Sequence, residues 1–200
     1  AFRFLSAYLE RSGDYAGVRL LRFYLVYRAM VRAKVSCMRA HQPGMAAREQ
    51  SGIVQEYRRH LHLAERLAAP HHAALLIMHG LSGSGKTTIA QGLAEALGAV
   101  RLRSDVERKR LAGLAAEARS GSELDAGLYA PGATEHTYAH LAALAREVLA
   151  ARYAVIVDAA FLKRSWRRHF AELARDAGAT FAIATCTAPA ATLRARVALR

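Results

Sequence analysis

Apolar residues recur at steps of three and four along the first seventy positions, which is the period of an amphipathic helix. One run predicts a helix from about Tyr15 to Arg39, with an apolar face made of Leu20, Leu21, Tyr24, Tyr27, Val31, Val35 and Met38. The segment His41-Gln-Pro-Gly44 interrupts this period, and a second run carries a helix to Pro70. We expect the two helices to pack as an antiparallel pair.

From Ala73 onward the pattern changes to short apolar runs, typical of strands buried on both faces of a parallel sheet. The runs cover residues 73–79, 100–104, 153–158 and 180–186. Helices are predicted after the first run to Leu97, from Thr134, from an N-cap at Ser165 to Gly178, and from Thr192. Residues 111–132 are rich in Gly, Ser and Ala and are expected to cross the ligand edge of the sheet. The fold class is therefore α/β over residues 71–200, a parallel sheet flanked by helices, preceded by an all-helical segment over residues 1–70.

The residues between the first strand and its helix match the P-loop pattern G-x-x-x-x-G-K-[ST]. Glycines allow the backbone to approach a polyphosphate closely and to cradle it with N–H groups. Lys86 is expected to contact the β- and γ-phosphates of ATP, and Thr87 to offer its hydroxyl to Mg²⁺. The predicted nucleotide-binding residues are Gly80, Leu81, Ser82, Gly83, Ser84, Gly85, Lys86, Thr87 and Thr88.

Carboxylates at the ends of two predicted strands are candidates for metal binding and catalysis. Asp158 ends the third strand in a Walker B pattern and would reach Mg²⁺ directly or through a water molecule. Asp105 follows the second strand at the edge where open α/β sheets bind ligands, so it is a candidate base for an acceptor hydroxyl. Arg108, one turn later, is a candidate for holding substrate or phosphate. The alternative for Asp105 is a cap of the following helix.

The composition limits which partners and which cellular location are expected for this chain. The formal net charge is +13 with a pI near 10.5, but nearly all the basic residues are Arg and no basic motif interleaved with aromatic residues occurs. Nucleic acid is therefore left open as a partner and is not favoured. No apolar run reaches the ~18 residues of a membrane span, and the pattern of a signal peptide is absent, so we expect a cytoplasmic protein. Cys37 and Cys186 are expected to be reduced, buried thiols.

The first seventy residues resemble the C-terminal part of a known domain. Residues 8–15, Tyr-Leu-Glu-Arg-Ser-Gly-Asp-Tyr, and residues 27–34, Tyr-Arg-Ala-Met-Val-Arg-Ala-Lys, resemble the last helices of the aminoglycoside-phosphotransferase-like domain in bacterial two-domain proteins. In those proteins a P-loop kinase domain follows. The resemblance implies that an upstream phosphotransferase-like domain of the same polypeptide is a partner, and that its catalytic residues lie upstream of Ala1.

Residues 73–200 resemble the P-loop kinase family that includes polynucleotide-kinase-like and zeta-toxin-like domains with AAA-type ATP binding. The matching motifs are residues 80–88, 104–108, 155–158 and 186–189. The resemblance implies ATP and Mg²⁺ as phosphoryl donor, a hydroxyl acceptor, and a lid in which Arg196 or Arg200 neutralises developing charge. A fifth strand and the rest of the lid would lie beyond Arg200. We therefore expect the chain to be an excerpt of a longer product.

Three functions fit these motifs. The leading hypothesis is an ATP-dependent phosphotransferase acting on a small-molecule alcohol, in which Lys86, Asp105 and a lid arginine are catalytic. A second hypothesis takes a nucleic-acid 5′-hydroxyl as acceptor. The third is an ATP-binding switch or accessory module without phosphoryl transfer. Asp105 favours the two enzymes, because a switch needs a residue that positions water and has no use for a carboxylate beside an acceptor.

Overall fold

The computed structural model of the chain describes residues 2–69, 71–115 and 131–198. In chain order the elements are α1 (Phe2–Ser12), α2 (Val18–Ala40), α3 (Ala47–Ala68), β1 (Ala74–His79), α4 (Lys86–Leu97), β2 (Val100–Arg103), α5 (Ser104–Leu111), α6 (Pro131–Ala150), β3 (Val155–Asp158), α7 (Arg164–Asp176), β4 (Thr180–Thr185) and α8 (Ala190–Ala198). They form two compact units. The sheet unit comprises Ala1–Ala16 and His72–Arg200, and the hairpin unit comprises Gly17–His71.

The sheet unit contains a four-stranded sheet in the order β2-β3-β1-β4. All its strand pairs are parallel. Strand β1 lies between β3 and β4, and its residues Leu75, Ile77 and Met78 have no exposed surface. Helices α4, α6 and α7 pack on this sheet, which confirms the predicted α/β fold. Because the strands are parallel, their carboxyl ends and the residues that follow them meet at one edge.

In the hairpin unit, α2 and α3 pack against each other as expected, but the apolar face predicted for α2 is wrong. Leu20, Tyr24, Tyr27, Val35 and Met38 are all exposed. The buried stripe of α2 consists instead of the small residues Ala29, Ala33, Ser36 and Ala40. Small side chains at steps of three and four let two helix backbones approach closely, so they form the contact with α3 although the larger apolar residues outnumber them.

Helix α1 belongs to the sheet unit, whereas the sequence placed it in the helical segment over residues 1–70. Leu9 and Ser6 are its buried residues, and α1 contacts β2 and α4. The ring of Phe2 lies against Gly98, just after α4. The boundary between the two units thus falls between Ala16 and Gly17, because these contacts join α1 to elements about ninety residues later in the chain.

Several predicted helix starts differ from the structure by a few residues. Helix α6 begins at Pro131 instead of Thr134, and α8 begins at Ala190 instead of Thr192. Helix α7 begins at Arg164 with Lys163 at the N-cap position, so Ser165 lies in the first turn and is not the cap. The excursion predicted over residues 111–132 lies mostly outside the described residues.

Across the described ranges, no helix combines the length and the apolar character that crossing a membrane requires. Cys186 is buried, as expected for a small apolar side chain. Cys37 is exposed on α2, so the expectation of burial was wrong for this residue, which faces away from the small-residue stripe.

Candidate active site

The loop between β1 and α4 has backbone conformations that require glycine. The φ angles of Gly80, Gly83 and Gly85 are 143°, 80° and 91°, in the region that L-residues rarely adopt. A Cβ atom on Gly80 would lie 2.3 Å from the carbonyl oxygen of Cys186, which follows β4. Glycine at this position therefore meets both a conformational and a steric demand.

Contacts within and around this loop hold its shape. The Gly80 amide donates to the Ala160 carbonyl at 3.1 Å, which joins the loop to the segment after β3. The Ser84 amide donates to the Leu81 carbonyl at 3.2 Å. Lys86 Nζ donates to the same Leu81 carbonyl at 2.7 Å, so its side chain extends back over the loop. The lysine ammonium thus lies over the loop, where a phosphate bound by the loop amides would need a cation.

The Ser84 hydroxyl is a buried polar atom without a hydrogen-bond partner among the described residues. Such atoms are uncommon in folded proteins, and one reason for them is a site that a ligand fills. A phosphate oxygen would accept a hydrogen bond from this hydroxyl. Together with the positive φ values of the loop glycines, this atom fits the binding of a nucleotide phosphate.

Asp158, at the carboxyl end of β3, lies beside the first turn of α4. It forms a side-chain hydrogen bond with Thr87. Burial raises the pKa of Asp158 above its ordinary value, and this rise is opposed by the Thr87 hydrogen bond and by the charges of Arg101, Arg103 and Lys86. The structure therefore brings Asp158 and Thr87 together, as the P-loop and Walker B patterns predicted.

The oxygen atoms of Thr87 and Asp158 fit Mg²⁺, which prefers oxygen ligands and takes only one or two from the protein when phosphates and water supply the rest. No cluster of three or more His, Cys, Asp or Glu side chains suited to a metal occurs within residues 2–69, 71–115 and 131–198. A metal ion at this site would thus depend on bound phosphate for much of its coordination.

Asp105 lies in the first turn of α5, at the same edge of the sheet. Strands β2 and β3 pair Arg103 with Asp158, and the Ser104 hydroxyl donates to the Asp158 carbonyl at 3.0 Å. The Asp105 side chain is 49% exposed and forms an ion pair of 3.1 Å with Lys109. The N-cap of α5 is Arg103, without a side-chain capping bond. The alternative that Asp105 caps this helix is therefore not observed.

The segment after β3 is fixed by two side chains that the sequence did not identify as site residues. The Phe161 amide donates to the Tyr138 hydroxyl at 3.0 Å, and Arg167 Nη1 donates to the carbonyls of Phe161 and Leu162 at 2.7 and 2.8 Å. Phe161 itself has a φ of 48°, a rare value for a residue other than glycine. Burial raises the pKa of Tyr138, whereas the backbone bond to Phe161 and the charge of Arg108 lower it.

Tyr138 therefore links α6 to the segment after β3, and the charge of Arg108, the predicted substrate residue, acts on its hydroxyl. A rarely adopted backbone conformation at a ligand edge is often kept because it shapes a site. Neither Tyr138 nor Arg167 belongs to a recognised motif, so the sequence signal for both residues was weak.

Arg196, in α8, contacts the P-loop directly. Its Nη1 donates to the Gly83 carbonyl at 3.0 Å. A Cβ atom on Gly83 would lie 3.4 Å from the carbonyl oxygen of Leu193, so the helix backbone also runs close to the loop. The structure thus brings Arg196 to the site as predicted for a lid arginine. Arg200, the other predicted lid arginine, lies outside the described residues.

Helix α5 is anchored by a buried network around Glu107, a residue with no exposed surface. The Tyr15 hydroxyl donates to Glu107 at 2.9 Å, Arg110 pairs with the same carboxylate, and His140 Nε2 lies 3.2 Å from it. Burial raises the pKa of Tyr15, and the charge of Glu107 and its hydrogen bond act in the same direction. The sequence missed this network, because its partners lie in α6 and after α1.

Comparison with known proteins places these features in a family. A model of the family described as AAA domain matches residues 75–200. Uncharacterized proteins of Mycobacterium tuberculosis and Mycobacterium bovis are 33% identical over 199 residues, or 98% of this chain. The chain spans 38% of the length of these curated relatives.

Solved structures similar to this chain include kinases. A candidate kinase from Chloroflexus aurantiacus is 22% identical with a TM-score of 0.53, covering 65% of this chain and 66% of that one. An APS kinase of Mycobacterium tuberculosis is 22% identical with a TM-score of 0.49, covering 64% and 69%. The first likeness supports the observed fold, a parallel sheet flanked by helices.

Proposed function

Because the chain belongs to the AAA domain family, we propose that it is a P-loop kinase that transfers the γ-phosphate of Mg-ATP to a hydroxyl of a small molecule. The observation that carries this proposal is the arrangement at one sheet edge. There the hydrogen-bonded pair of Thr87 and Asp158 adjoins the P-loop, and Asp105 opens the neighbouring helix.

In this proposal the chain's own residues bind and orient the donor. The loop amides and Lys86 hold the β- and γ-phosphates, and the buried Ser84 hydroxyl adds a donor. Thr87 and Asp158 hold Mg²⁺, which when bound neutralises charge on the phosphate oxygens. Lys86 would exchange its present bond to the Leu81 carbonyl for one to phosphate.

Asp105 and the nearby arginines act on the acceptor side. Asp105 accepts the proton of the acceptor hydroxyl while the oxygen of that hydroxyl forms a bond to the γ-phosphorus and the bond to the leaving ADP oxygen breaks. Arg108 holds the acceptor or its phosphate. Arg196, which already contacts the loop at Gly83, would neutralise the charge that develops on the transferred group.

The experiment that tests this proposal is a transfer screen with γ-labelled ATP and Mg²⁺. Sugars, aminoglycosides, nucleosides and 5′-hydroxyl oligonucleotides serve as acceptors. Transfer to a small molecule supports the proposal, and transfer to the oligonucleotides alone would favour the nucleic-acid acceptor that the net charge of +13 leaves open. Release of phosphate without transfer to any acceptor would favour the ATP-binding switch.

Lys86→Ala tests the donor side separately. A hydrogen bond to a charged group contributes ~1.5–3 kcal/mol, so this variant should bind Mg-ATP about 10- to 150-fold more weakly. Lys34→Ala, on the hairpin unit, is the matched control and should bind like the wild type. A titration with fluorescent Mg-ATP analogue measures both variants, and unchanged affinity of Lys86→Ala would exclude a nucleotide-binding role for this loop.

The upstream phosphotransferase-like domain and a cytoplasmic location stay predictions. The chain spans 38% of the length of its curated relatives. The proposed activity is therefore that of these residues, and it is not assigned to a longer protein.

A further inference from the structure

Two arginines of β2 share one carboxylate of α1. Glu10 Oε1 accepts a hydrogen bond from Arg101 Nη2 at 2.6 Å, and Glu10 Oε2 accepts one from Arg103 Nη1 at 3.1 Å. The side chains of Glu10 and Arg101 are only 15% and 7% exposed. Because this pair has so little contact with water, the loss of one partner would leave a buried charge uncompensated.

The Arg101 side chain continues this contact to the candidate metal site. Its Nη1 donates to the Thr87 carbonyl at 3.3 Å, in the first turn of α4. Thr87 in turn forms the side-chain hydrogen bond with Asp158. A chain of contacts thus runs from Glu10 through Arg101 to Thr87, one of the two oxygen ligands proposed for Mg²⁺.

Charge gives Glu10 a second effect on this site. Arg101, Arg103 and Lys86 all act electrostatically on Asp158. Without a compensating carboxylate, these three cations would repel a divalent cation at Thr87 and Asp158. This repulsion between like charges is stronger in a poorly solvated site than in water. Glu10 offsets the two arginines that lie nearest to it.

We propose that Glu10 is a positioning residue for the magnesium site, which holds Arg101 against the Thr87 carbonyl and neutralises the arginines of β2. The inference rests on the proposed function and extends it to α1, which lies outside residues 75–200 that match the family model. Helix α1 then contributes a residue that supports the magnesium site of the sheet unit. Loss of a residue that orients a metal ligand typically costs 10- to 100-fold in metal affinity.

The structure allows this role to be separated from folding. Arg110 Nη2 donates to the backbone carbonyl of Glu10 at 2.6 Å, and it lies 3.4 Å from the Leu9 carbonyl. These bonds to the main chain are independent of the Glu10 carboxylate. They should keep α1 in place when the carboxylate is replaced by the amide of glutamine, which has the same shape.

The experiment compares Glu10→Gln with Glu95→Gln in the complete chain. Glu95 lies in α4 and pairs with Arg3 of α1 at 3.9 Å, but both side chains are largely exposed, at 42% and 84%. The two variants therefore remove the same charge from contacts between helix α1 and the rest of the sheet unit. Binding of a fluorescent ATP analogue is titrated without Mg²⁺ and across a Mg²⁺ series, and no turnover is needed.

We expect Glu10→Gln to raise the Mg²⁺ concentration for half-maximal enhancement of binding by about 10-fold, without weakening binding in the absence of Mg²⁺. Glu95→Gln should behave like the wild type, because exposed pairs contribute little. Glu10→Asp retains the charge and should restore most of the Mg²⁺ dependence.

An unchanged Mg²⁺ series in Glu10→Gln would overturn the role of Glu10 alone. Equal weakening of binding with and without Mg²⁺ would also overturn it, since the defect would then be one of general structure. A wild-type chain that binds no nucleotide at any Mg²⁺ concentration would overturn both this inference and the proposed function.

Discussion

Asp105 and Asp158 both carry carboxylates at the ligand edge of the sheet, but their surroundings suit them to different roles. Asp158 is buried and bonded to Thr87, whereas the Asp105 side chain is half-exposed and reaches Lys109 one turn later. The first arrangement suits a metal ligand, and the second leaves a carboxylate that an acceptor hydroxyl can approach.

Replacement of each carboxylate by its amide should separate the two roles. Asp105→Asn should slow transfer by ~10²–10⁴-fold, the usual contribution of a general base, at every Mg²⁺ concentration. The defect of Asp158→Asn should shrink as Mg²⁺ is raised, because this change weakens the metal site. Turnover of both variants is measured across a Mg²⁺ series, and wild-type turnover of Asp105→Asn would reduce Asp105 to a surface ion pair.

Asp158 should also reduce the stability of the ligand-free protein. Burial raises the pKa of Asp158 in the folded state above the ordinary value of 3.8. Below pH 3.8 the carboxyl is protonated in both the folded and the unfolded state, and its burial has no charge to penalise. As the pH rises above that value, the buried group must ionise and the free energy of unfolding falls. Asp158→Asn should therefore have a higher free energy of unfolding than the wild type at pH 7, and the difference should shrink as the pH falls towards about 4.

Urea unfolding in EDTA, without nucleotide, measures this effect. Asp176→Asn is the control, because the Asp176 side chain is exposed and its Oδ1 lies 3.6 Å from Nε of Arg175, which is also exposed. A wild-type protein that equals or exceeds Asp158→Asn in stability at pH 7 would contradict the expected cost of the buried charge.

At the scale of elements, helix α5 depends on an anchor that its own sequence does not show. The residues Glu107 and Arg110 are three apart and look like an ordinary pair on a helix surface. In the structure they meet Tyr15 and His140, and Glu107 has no contact with solvent. The position of α5, and with it that of Asp105, therefore depends on residues before α2 and within α6.

Glu107→Leu should destabilise the protein by about 3–5 kcal/mol, because it leaves the charge of Arg110 and the hydroxyl of Tyr15 without their buried partner. Asp105→Leu, two residues earlier on the exposed side of α5, should change stability by less than about 1 kcal/mol. Chemical unfolding of both variants checks this. Equal losses would mean that the Glu107 network adds nothing beyond a surface pair.

For the whole molecule, the two units differ in what a nucleotide should do to them. The proposed site lies in the sheet unit, so binding should stabilise that unit in particular. Mg-ATP at about 100 times its dissociation constant should add about 2.7 kcal/mol to the stability of the unit that binds it.

Hydrogen exchange with and without Mg-ATP measures this stabilisation element by element. We expect slower exchange in β1, β3 and α4, and little change in α2 and α3 of the hairpin unit. Slowing confined to α2 and α3 would place the nucleotide elsewhere. Lys86→Ala, treated in the same way, should reduce the slowing in the sheet unit, because its affinity for Mg-ATP is lower.

The sequence by itself determined the strands of the sheet and the P-loop, because both are local patterns. An apolar run signals a buried strand wherever it occurs, and a loop that cradles phosphate needs its glycines and lysine at fixed spacing. Asp158 could be identified for the same reason, since it ends such a run next to a P-loop. The predicted helix starts differed by two or three residues from those of the structure, because helix ends fray and are the least sharply defined part of a helix.

Only the tertiary structure decided which elements meet and which face of a helix is buried. The membership of α1 in the sheet unit rests on contacts with residues about ninety positions later in the sequence, among them the pairs of Glu10 with Arg101 and Arg103. The buried stripe of α2 consists of small residues because close approach to α3 outweighed the larger apolar side chains. Such pairings depend on distance in space, and neither periodicity nor composition carries that information.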